Sequence, residues 1–402
     1  MKYKFTVYLL LSVFFLNLQA FSQEEKKEKK EEKGYIITDV TVVPHTSVKN
    51  QYRSGTCWSF SGIGFIEAEI LRETGKKYDL SEMFCVNHTY RDKAVKYVRL
   101  HGKLNFGSGA EFADVFRVIR KYGIVPESVY SGLQYGEDMH THGELDALLQ
   151  SYVDVIVKNK NRKLTPVWHE GFDKVLDTYL GELPGKFNYE GKEYTPESFR
   201  DMLGLNMDDY LEITSYTDHP YYEEYAVEIP DNWLWAKSMN VPLDEMMEII
   251  DNALENGYTV AWGADVSDRG FNWKKGIAII PDENPTDLSG TDLARWEALS
   301  KNEQKKELYS FDSIVQEVTV TEQMRQQYYD NYKVTDDHGM LIVGIAKDQK
   351  GNKYYKVKNS WGTDQKYKGY FYASVPYVRL QTIGIAVNKK AIPKKILKKF
   401  KK

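Results

Sequence analysis

Four residues, far apart in the chain, have the types and the order needed for nucleophilic catalysis by a thiol: Gln51, Cys57, His338 and Asn359. In such chemistry the cysteine attacks an acyl carbon and the histidine takes its proton, which holds a thiolate–imidazolium pair. An asparagine can set the orientation and tautomer of the imidazole. A glutamine can offer an N–H group to the developing oxyanion. The pattern therefore predicts an active site assembled from distant segments.

The local sequence around Cys57 predicts that it begins a buried helix. Residues 54–56 are Ser-Gly-Thr, which is typical of a turn or a helix cap. Apolar residues follow at helical intervals over 57–74. A helix start carries partial positive charge and free N–H groups, which favour a thiolate. A lone cysteine is more often a small buried hydrophobe, so the histidine and asparagine segments carry the functional prediction.

The elements that must position the other residues are predicted to be strands. His338 begins a predicted strand over 338–346, and Asn359 ends another over 353–359, with a third at 369–373. Apolar spacing predicts helices at 80–100 and 110–122. Helices that come first and strands that come last predict an α+β fold of two lobes with a cleft between them. Cys57 would lie on the helical lobe.

These segments resemble the papain-type cysteine peptidases, and more closely the bleomycin hydrolase/aminopeptidase C branch. The motifs are Gln51 with Cys57-Trp58, Arg120–Tyr130, Thr259–Val266, Asp337-His338-Gly339 and Asn359-Ser360-Trp361-Gly362. The resemblance covers most of Gly34 to about Pro393. It implies a papain-like fold and hydrolysis of peptide bonds through an acyl-enzyme, with no cofactor and no metal. It also gives Gln51, Cys57, His338 and Asn359 the four catalytic roles.

The same resemblance implies where a substrate would bind. Members of the branch use a Gly-Gly pair to hydrogen-bond the substrate backbone, and the matching pair here is Gly109-Ala110. Trp58 and Trp361 are assigned to substrate binding together with these two residues. Peptides are the expected substrates, and hexameric relatives imply a homo-oligomer.

The body of the chain is predicted to be one peptidase domain over 34–388 with two insertions. Residues 143–225 are predicted to form an inserted helical lobe, and residues 281–334 a polar insertion with helices at 291–308 and 321–332. A helix is predicted at 243–256 and a strand at 258–266. A β-rich pattern predicts a further strand within 35–43.

The two ends of the chain carry separate predictions. Residues 1–22 have two early lysines, a short apolar run and small residues before a cleavage point after Ser22, which predicts a signal peptide and export to the periplasm or beyond. Residues 23–33 alternate in charge and are interpreted as a solvated tether. The Lys-rich tail 389–402 is predicted to be a solvated end, in preference to an amphipathic helix on a membrane surface.

Charge and cysteine content exclude several other classes. Without the two N-terminal and eight tail lysines, the net charge of −4 becomes −14 on the body, which argues against nucleic-acid binding. Two cysteines, Cys57 and Cys85, are too few for a disulfide framework.

The pair His140 and His142 could hold a metal, but no third ligand is close in sequence. Both histidines are therefore predicted to lie in a surface loop.

The preference between exo- and endo-cleavage stays open at the level of sequence. The resemblance favours an aminopeptidase. An extended C-terminal arm blocks one side of the cleft in that branch, and here the chain ends in lysines that would repel a substrate amine. A papain-like endopeptidase with an open cleft is therefore the alternative, unless acidic residues of 281–334 supply the block. A Cys-His acyltransferase is a further alternative, although such enzymes usually place Asp third.

Overall fold

The computed structural model describes residues 34–400. The signal peptide and the tether predicted for 1–22 and 23–33 lie outside the described residues. The α-helices are α1 (Cys57–Thr74), α2 (Glu82–Arg99), α3 (Phe112–Tyr122), α4 (Gly143–Val157), α5 (Trp168–Leu180), α6 (Pro196–Met202), α7 (Leu243–Glu255), α8 (Gly290–Ala298), α9 (Lys301–Leu308), α10 (Glu322–Asp330), α11 (Val375–Gln381) and α12 (Lys394–Leu397). Short 3₁₀ turns lie at Met207–Asp209 and Lys389–Ala391.

The strands form one large sheet and one separate hairpin. They are β1 (Thr38–Val42), β2 (Phe187–Tyr189), β3 (Lys192–Tyr194), β4 (Tyr210–Thr214), β5 (Glu224–Ala226), β6 (Lys237–Asn240), β7 (Val260–Ala264), β8 (Phe271–Asn272), β9 (Ile277–Ala278), β10 (His338–Lys347), β11 (Lys353–Lys358), β12 (Tyr370–Ser374) and β13 (Thr382–Asn388). The order of the large sheet is β5-β6-β4-β13-β7-β10-β11-β12-β9-β8, and β1 pairs with the far end of β10.

Helix α1 is buried on all sides and joins the two halves of the molecule. Its residues from Trp58 to Ile70 are all buried, as expected for a helix that is apolar or small-sided all round. It packs on α2 and α3 on one side and on β10 on the other. The predicted helix 57–74 is therefore present with both ends as expected. Gly75, with φ of 71°, ends it in the left-handed conformation that glycine adopts without strain.

Strand β10 runs through the middle of the sheet and brings His338 to α1. Its residues His338 to Ala346 are all buried. His338 pairs with Ala264 of β7, and Leu341 pairs with Lys358 of β11, so the ends of β10 and β11 lie side by side. One hydrophobic core lies around α1 to α5, and a second lies between the sheet and α7. The two-lobed α+β prediction is confirmed.

Two insertions differ in detail from the sequence prediction. The predicted helical lobe 143–225 contains α4, α5 and α6, but β4 at Tyr210–Thr214 leaves it to pair with β13 in the large sheet. The predicted helix 291–308 is two helices, α8 and α9. Ser300 causes the break, because its hydroxyl accepts from the Glu303 N–H while the Glu303 carboxylate accepts from the Ser300 N–H. That capping box starts a new helix.

The tail is ordered up to Phe400, so the prediction of a solvated end is wrong for residues 389–400. Ile392 is 3% exposed and Ile396 is fully buried in the second core. Their lysine neighbours face solvent, and Lys395 pairs with Glu248 of α7 at 2.8 Å. Ile396 lies in α12 and Ile392 precedes it in extended backbone, and both belong to the core between the sheet and α7. No helix within residues 34–400 is both long and apolar enough to cross a membrane.

Candidate active site

Cys57 is the first residue of α1 and lies where that helix meets β10. An added Cβ on Gly339, the second residue of β10, would lie 3.3 Å from the Trp58 nitrogen, so the two backbones are in contact. The side chain of Thr56 makes no capping hydrogen bond to the helix. The Ser59 N–H donates to the Thr56 carbonyl, so the N–H groups of Cys57 and Trp58 are the ones that can interact with a thiolate or an oxyanion.

Two opposing effects act on the pKa of the Cys57 thiol. Burial raises the pKa to about 12, although hydrogen bonds from the backbone of Gly339 and Trp58 act in the opposite direction. The backbone at the helix start therefore favours the thiolate, and burial opposes it. A thiolate forms here when the proton moves to a neighbouring base whose new charge compensates it.

His338 is the residue predicted to be that base, and its hydrogen bonds determine its tautomer. Its Nε2 lies 2.7 Å from Oδ1 of Asn359. The same Oδ1 accepts the Ser360 backbone N–H at 2.7 Å. Because a backbone N–H can only donate, the shared side-chain atom must be the amide oxygen and not the nitrogen. Nε2 of His338 therefore carries the hydrogen, and Nδ1 keeps the lone pair that can accept the thiol proton.

The surroundings of His338 keep the imidazole neutral until it takes that proton. It is 6% exposed, and burial lowers its pKa to about 4, against the opposing effect of the hydrogen bond to Asn359. The indole of Trp361 covers the imidazole, with ring centroids 4.6 Å apart and an angle of 33° between the planes. Trp361 thus lies over the His338–Asn359 pair and shields it from solvent, rather than standing free in the cleft.

Gln51 is held beside this pair by Ser360. Its Oε1 accepts the Ser360 hydroxyl at 2.6 Å, and its backbone N–H donates to the Ser360 carbonyl at 2.8 Å. With Oε1 engaged, the amide nitrogen carries the N–H donors that an oxyanion needs. Ser360 therefore positions both Gln51 and Asn359. This role of Ser360 was not predicted, although Ser360 directly follows Asn359 in the Asn359–Gly362 motif.

Trp58 and Ala110, which were predicted to bind substrate, are both buried in this structure. Trp58 is 2% exposed and Ala110 is 5% exposed. The Trp58 indole instead donates to the Ser108 carbonyl at 2.9 Å, which ties the segment before Gly109 to α1. The ammonium of Lys93 donates to the Gly107 and Gly109 carbonyls from behind. Gly109 is partly exposed, and the bond from Trp58 to Ser108 holds its segment against the start of α1.

His140 and His142 are buried, so the prediction of a surface loop is wrong. They are 8% and 0% exposed, and burial lowers the pKa of each to about 4. Their rings lie in edge contact with each other, and that of His140 also contacts Phe60. Across the described part of the chain, no group of three His, Cys, Asp or Glu residues is placed to hold a metal ion. The two histidines therefore pack beside the active-site segment as neutral rings.

Comparison with known proteins identifies the family of this chain. The chain matches the Peptidase C1-like family over residues 103–293 and 288–402, and the Papain family cysteine protease over residues 38–167. Aminopeptidase C of Lactobacillus delbrueckii subsp. lactis is 24% identical, and the match covers 88% of this chain and 82% of that protein. Aminopeptidase C of Lactococcus lactis subsp. cremoris is 25% identical, with coverage of 85% and 80%.

A solved structure shows the same fold. PepW from Lactobacillus rhamnosis HN001 has a TM-score of 0.66 and 21% identity, and the match covers 90% of this chain and 84% of that one. The sequence resemblance to the papain-type peptidases and their aminopeptidase C branch is therefore confirmed. The chain belongs to the Peptidase C1-like family and is a cysteine-type peptidase with a papain-like fold.

Proposed function

We propose that this protein is a cysteine aminopeptidase in which Cys57 is the nucleophile, His338 the general base and acid, Asn359 the residue that orients the imidazole, and Gln51 an oxyanion donor. The observation that carries these roles is the shared Oδ1 of Asn359, which leaves Nδ1 of His338 as the free base at the junction with α1. The relatives named aminopeptidase C support removal of N-terminal residues.

The reaction follows from this geometry. The Cys57 proton moves to Nδ1 of His338, and the thiolate attacks the carbonyl carbon of the substrate's peptide bond. The oxyanion receives N–H groups from the Gln51 amide and from the start of α1. His338 then gives its proton to the departing amine, which leaves a thioester. Water attacks the thioester while His338 accepts its proton, and the free carboxylic acid and the Cys57 thiol are regenerated.

The two cysteines supply a matched test of these roles. Cys57 is partly exposed, whereas Cys85 is fully buried in the first core. Hydrolysis of a fluorogenic aminoacyl substrate with a free amine should be lost in Cys57→Ala and after alkylation by iodoacetamide. It should persist in Cys85→Ala. Hydrolysis that survives Cys57→Ala would overturn the assignment.

The open-cleft endopeptidase is the second candidate, and N-acylated peptides of the same sequence test it. If such blocked peptides are cut as well as free-amine substrates, the catalytic assignment stands and the aminopeptidase assignment fails. The Asp231 carboxylate lies directly against Gly109 of the cleft wall, which favours the exopeptidase. An acyltransferase would show transfer of the acyl group to an added amine in preference to water.

We also infer export with cleavage after Ser22, and assembly into a homo-oligomer. The basic start, the short apolar run and the small residues before position 23 support export. Mass spectrometry of the mature N-terminus should find Gln23, and a retained Met1 would contradict this.

The resemblance to hexameric relatives supports assembly into a homo-oligomer. If light scattering finds only monomer at micromolar concentration, the proposal of a homo-oligomer is wrong.

A further inference from the structure

A loop between β5 and β6, residues 227–236, lies beside the active-site cleft, and we name it the covering segment. Asn232 holds its shape, because its amide donates to the carbonyls of Val227 and Ala236 at 3.0 Å and accepts from the Ala236 N–H at 2.8 Å. The Trp233 indole donates to the Asp114 carboxylate at 3.1 Å, which fastens the segment to α3. Asn232 and Trp233 are both buried, so the covering segment is a built part of the fold.

The covering segment places the Asp231 carboxylate directly on the cleft wall. An added Cβ on Gly109 would lie 1.9 Å from Oδ2 of Asp231, so only glycine fits beneath this carboxylate. Asn105 donates to the other oxygen at 3.0 Å. A peptide strand that continued along the wall past Gly109 would collide with Asp231. The carboxylate therefore closes the side of the cleft that an acyl chain would occupy.

Two more carboxylates meet Asp231 at this end of the cleft. Asp336 lies two residues before His338, and Glu111 follows Ala110 at the start of α3. Glu111 and the Asp231 backbone both hydrogen-bond to Asp336. The Oδ2 atom of Asp336 is nevertheless buried without a hydrogen-bond partner among the described residues. Burial raises the pKa of all three carboxyl groups, and repulsion by neighbouring carboxylates raises it further for Glu111 and Asp336.

Two cations near this group are shared with other carboxylates. The Lys93 ammonium donates to the Gly107 and Gly109 carbonyls, and it attracts Asp231 and Glu111 as well as Asp114 and Asp146. Arg117 pairs with Asp114 and Asp92, and its guanidinium lies over the Trp233 ring. The end of the cleft thus holds three carboxyl groups and an unsatisfied carboxylate oxygen near the nucleophile.

We propose that Asp231, Asp336 and Glu111 receive the α-ammonium group of the substrate, and that Asp231 excludes any residue that precedes it. The proposal rests on the proposed function, since it concerns the substrate of that same site. An ammonium group is compact and has three N–H donors, so it can pair with neighbouring carboxylates. Substrates with a free amine would therefore be selected by charge as well as by the length of their acyl chain.

A bound metal ion, or a different segment blocking the cleft, fits the structure less well. Within residues 34–400, no three His, Cys, Asp or Glu side chains are placed to bind a metal ion. The lysine tail packs against α7, where Lys399 pairs with Glu245, and so it is held by that helix. Glu283 of the polar insertion pairs with Lys305 of the same insertion at 3.1 Å. The covering segment, rather than the tail or the insertion, lies against this side of the cleft.

The same carboxylates link amine binding to the reactivity of Cys57. The charges of Asp231 and Asp336 add to the burial that raises the pKa of the thiol. An ammonium bound between them would cancel this repulsion and make the thiolate easier to form. A free amine would thus anchor the substrate and activate the nucleophile, and its loss should lower kcat as well as raise KM.

The test compares two substrates that differ only in the amine: leucyl-aminomethylcoumarin and 4-methylpentanoyl-aminomethylcoumarin. Wild type should prefer the first by at least about a hundredfold in kcat/KM. Asp336→Asn and Asp231→Asn should each reduce this preference at least about tenfold. Glu228→Gln is the matched control, because Glu228 lies on the same covering segment, is exposed, and makes the same change of charge. It should keep the wild-type preference.

The outcomes separate this proposal from the proposed function. A preference that stays unchanged in both Asp variants, or that falls equally in Glu228→Gln, overturns the ammonium site while the peptidase assignment stands. Cleavage that survives Cys57→Ala overturns the proposed function instead. Leucinamide binding to Cys57→Ala, measured by calorimetry, is independent of turnover. Adding Asp336→Asn should weaken that binding at least about tenfold, and unchanged binding would also refute the site.

Gly109→Ala tests the steric part of the proposal without altering any charge. The new methyl group must displace Asp231, since it would lie 1.9 Å from Oδ2. We expect a lower preference for the free amine, as in Asp231→Asn. Asp231→Ala opens the wall instead, and it should gain cleavage of an acetyl-dipeptidyl substrate that wild type does not cut. If Asp231→Ala still accepts only one substrate residue before the cleaved bond, the steric block is refuted.

Discussion

Replacement of Asn359 by alanine tests the tautomer argument most directly. The variant removes the acceptor that lies 2.7 Å from Nε2 of His338 and that identifies Nδ1 as the base. When His338 becomes an imidazolium, this bond is charge-assisted and is worth about 1.5–3 kcal/mol. A tenfold change in rate corresponds to about 1.4 kcal/mol. We therefore expect kcat to fall about ten- to a hundredfold, which is less than the loss caused by Cys57→Ala.

The assay is steady-state hydrolysis of leucyl-aminomethylcoumarin, with kcat and KM determined separately. Because the hydrogen bond strengthens as the imidazolium forms, the loss should appear in kcat with little change in KM. Asn359→Asp keeps an acceptor oxygen and should retain more activity than Asn359→Ala. Alkylation of Cys57, followed by mass spectrometry, checks that both variants are folded at the site. A kcat for Asn359→Ala within twofold of wild type would refute the reasoning.

Three further predictions concern the surroundings of the site and the tail. Trp361→Ala uncovers the imidazole, so the pKa of His338 should rise from its lowered value towards the ordinary one, as measured by NMR titration; Trp361→Phe should change it less. Burial raises the pKa of Asp336 to about 7, above an unfolded value near 4, so wild type loses stability as pH rises through that window. Asp336→Asn should therefore unfold at a higher temperature than wild type at pH 8 and at the same temperature at pH 4, and an equal difference at both pH values would contradict this. Ile396→Ala should lower the free energy of unfolding by about 2–5 kcal/mol in denaturant titrations, whereas Leu397→Ala, at 37% exposure, should cost much less.

Local patterns in the sequence were sufficient to identify the catalytic elements. The turn residues before Cys57 and the helical apolar spacing after it predicted α1 with its observed ends. His338 and Asn359 lie at strand ends, as their flanking β-branched and aromatic residues indicated. These predictions succeed because helix and strand periodicity is local, and because the chemistry of a thiol nucleophile limits which residues can serve it.

The fate of the tail depended on surfaces that a local pattern does not show. Eight of the last fourteen residues are lysines. Such a composition is typical of a solvated segment, and it is the basis of the prediction of a solvated end. Ile392 and Ile396 are buried only because α7 and the sheet present an apolar surface to them. The capping box at Ser300 is a different case, since its motif was present in the sequence and was overlooked.

The residues around Cys57 and His338 determined by themselves that the chain carries peptidase chemistry, since each lies in a short motif. Which substrates reach that chemistry was decided only by the tertiary structure. Asp231 lies in no recognisable motif, and it stands more than a hundred residues from Gly109 and from Asp336 along the chain. Only the pairing of β5 and β6 with the sheet, and the Trp233–Asp114 hydrogen bond, bring its carboxylate onto the cleft wall. Long-range contacts of this kind depend on the packing of whole elements, and no local pattern of residues encodes them.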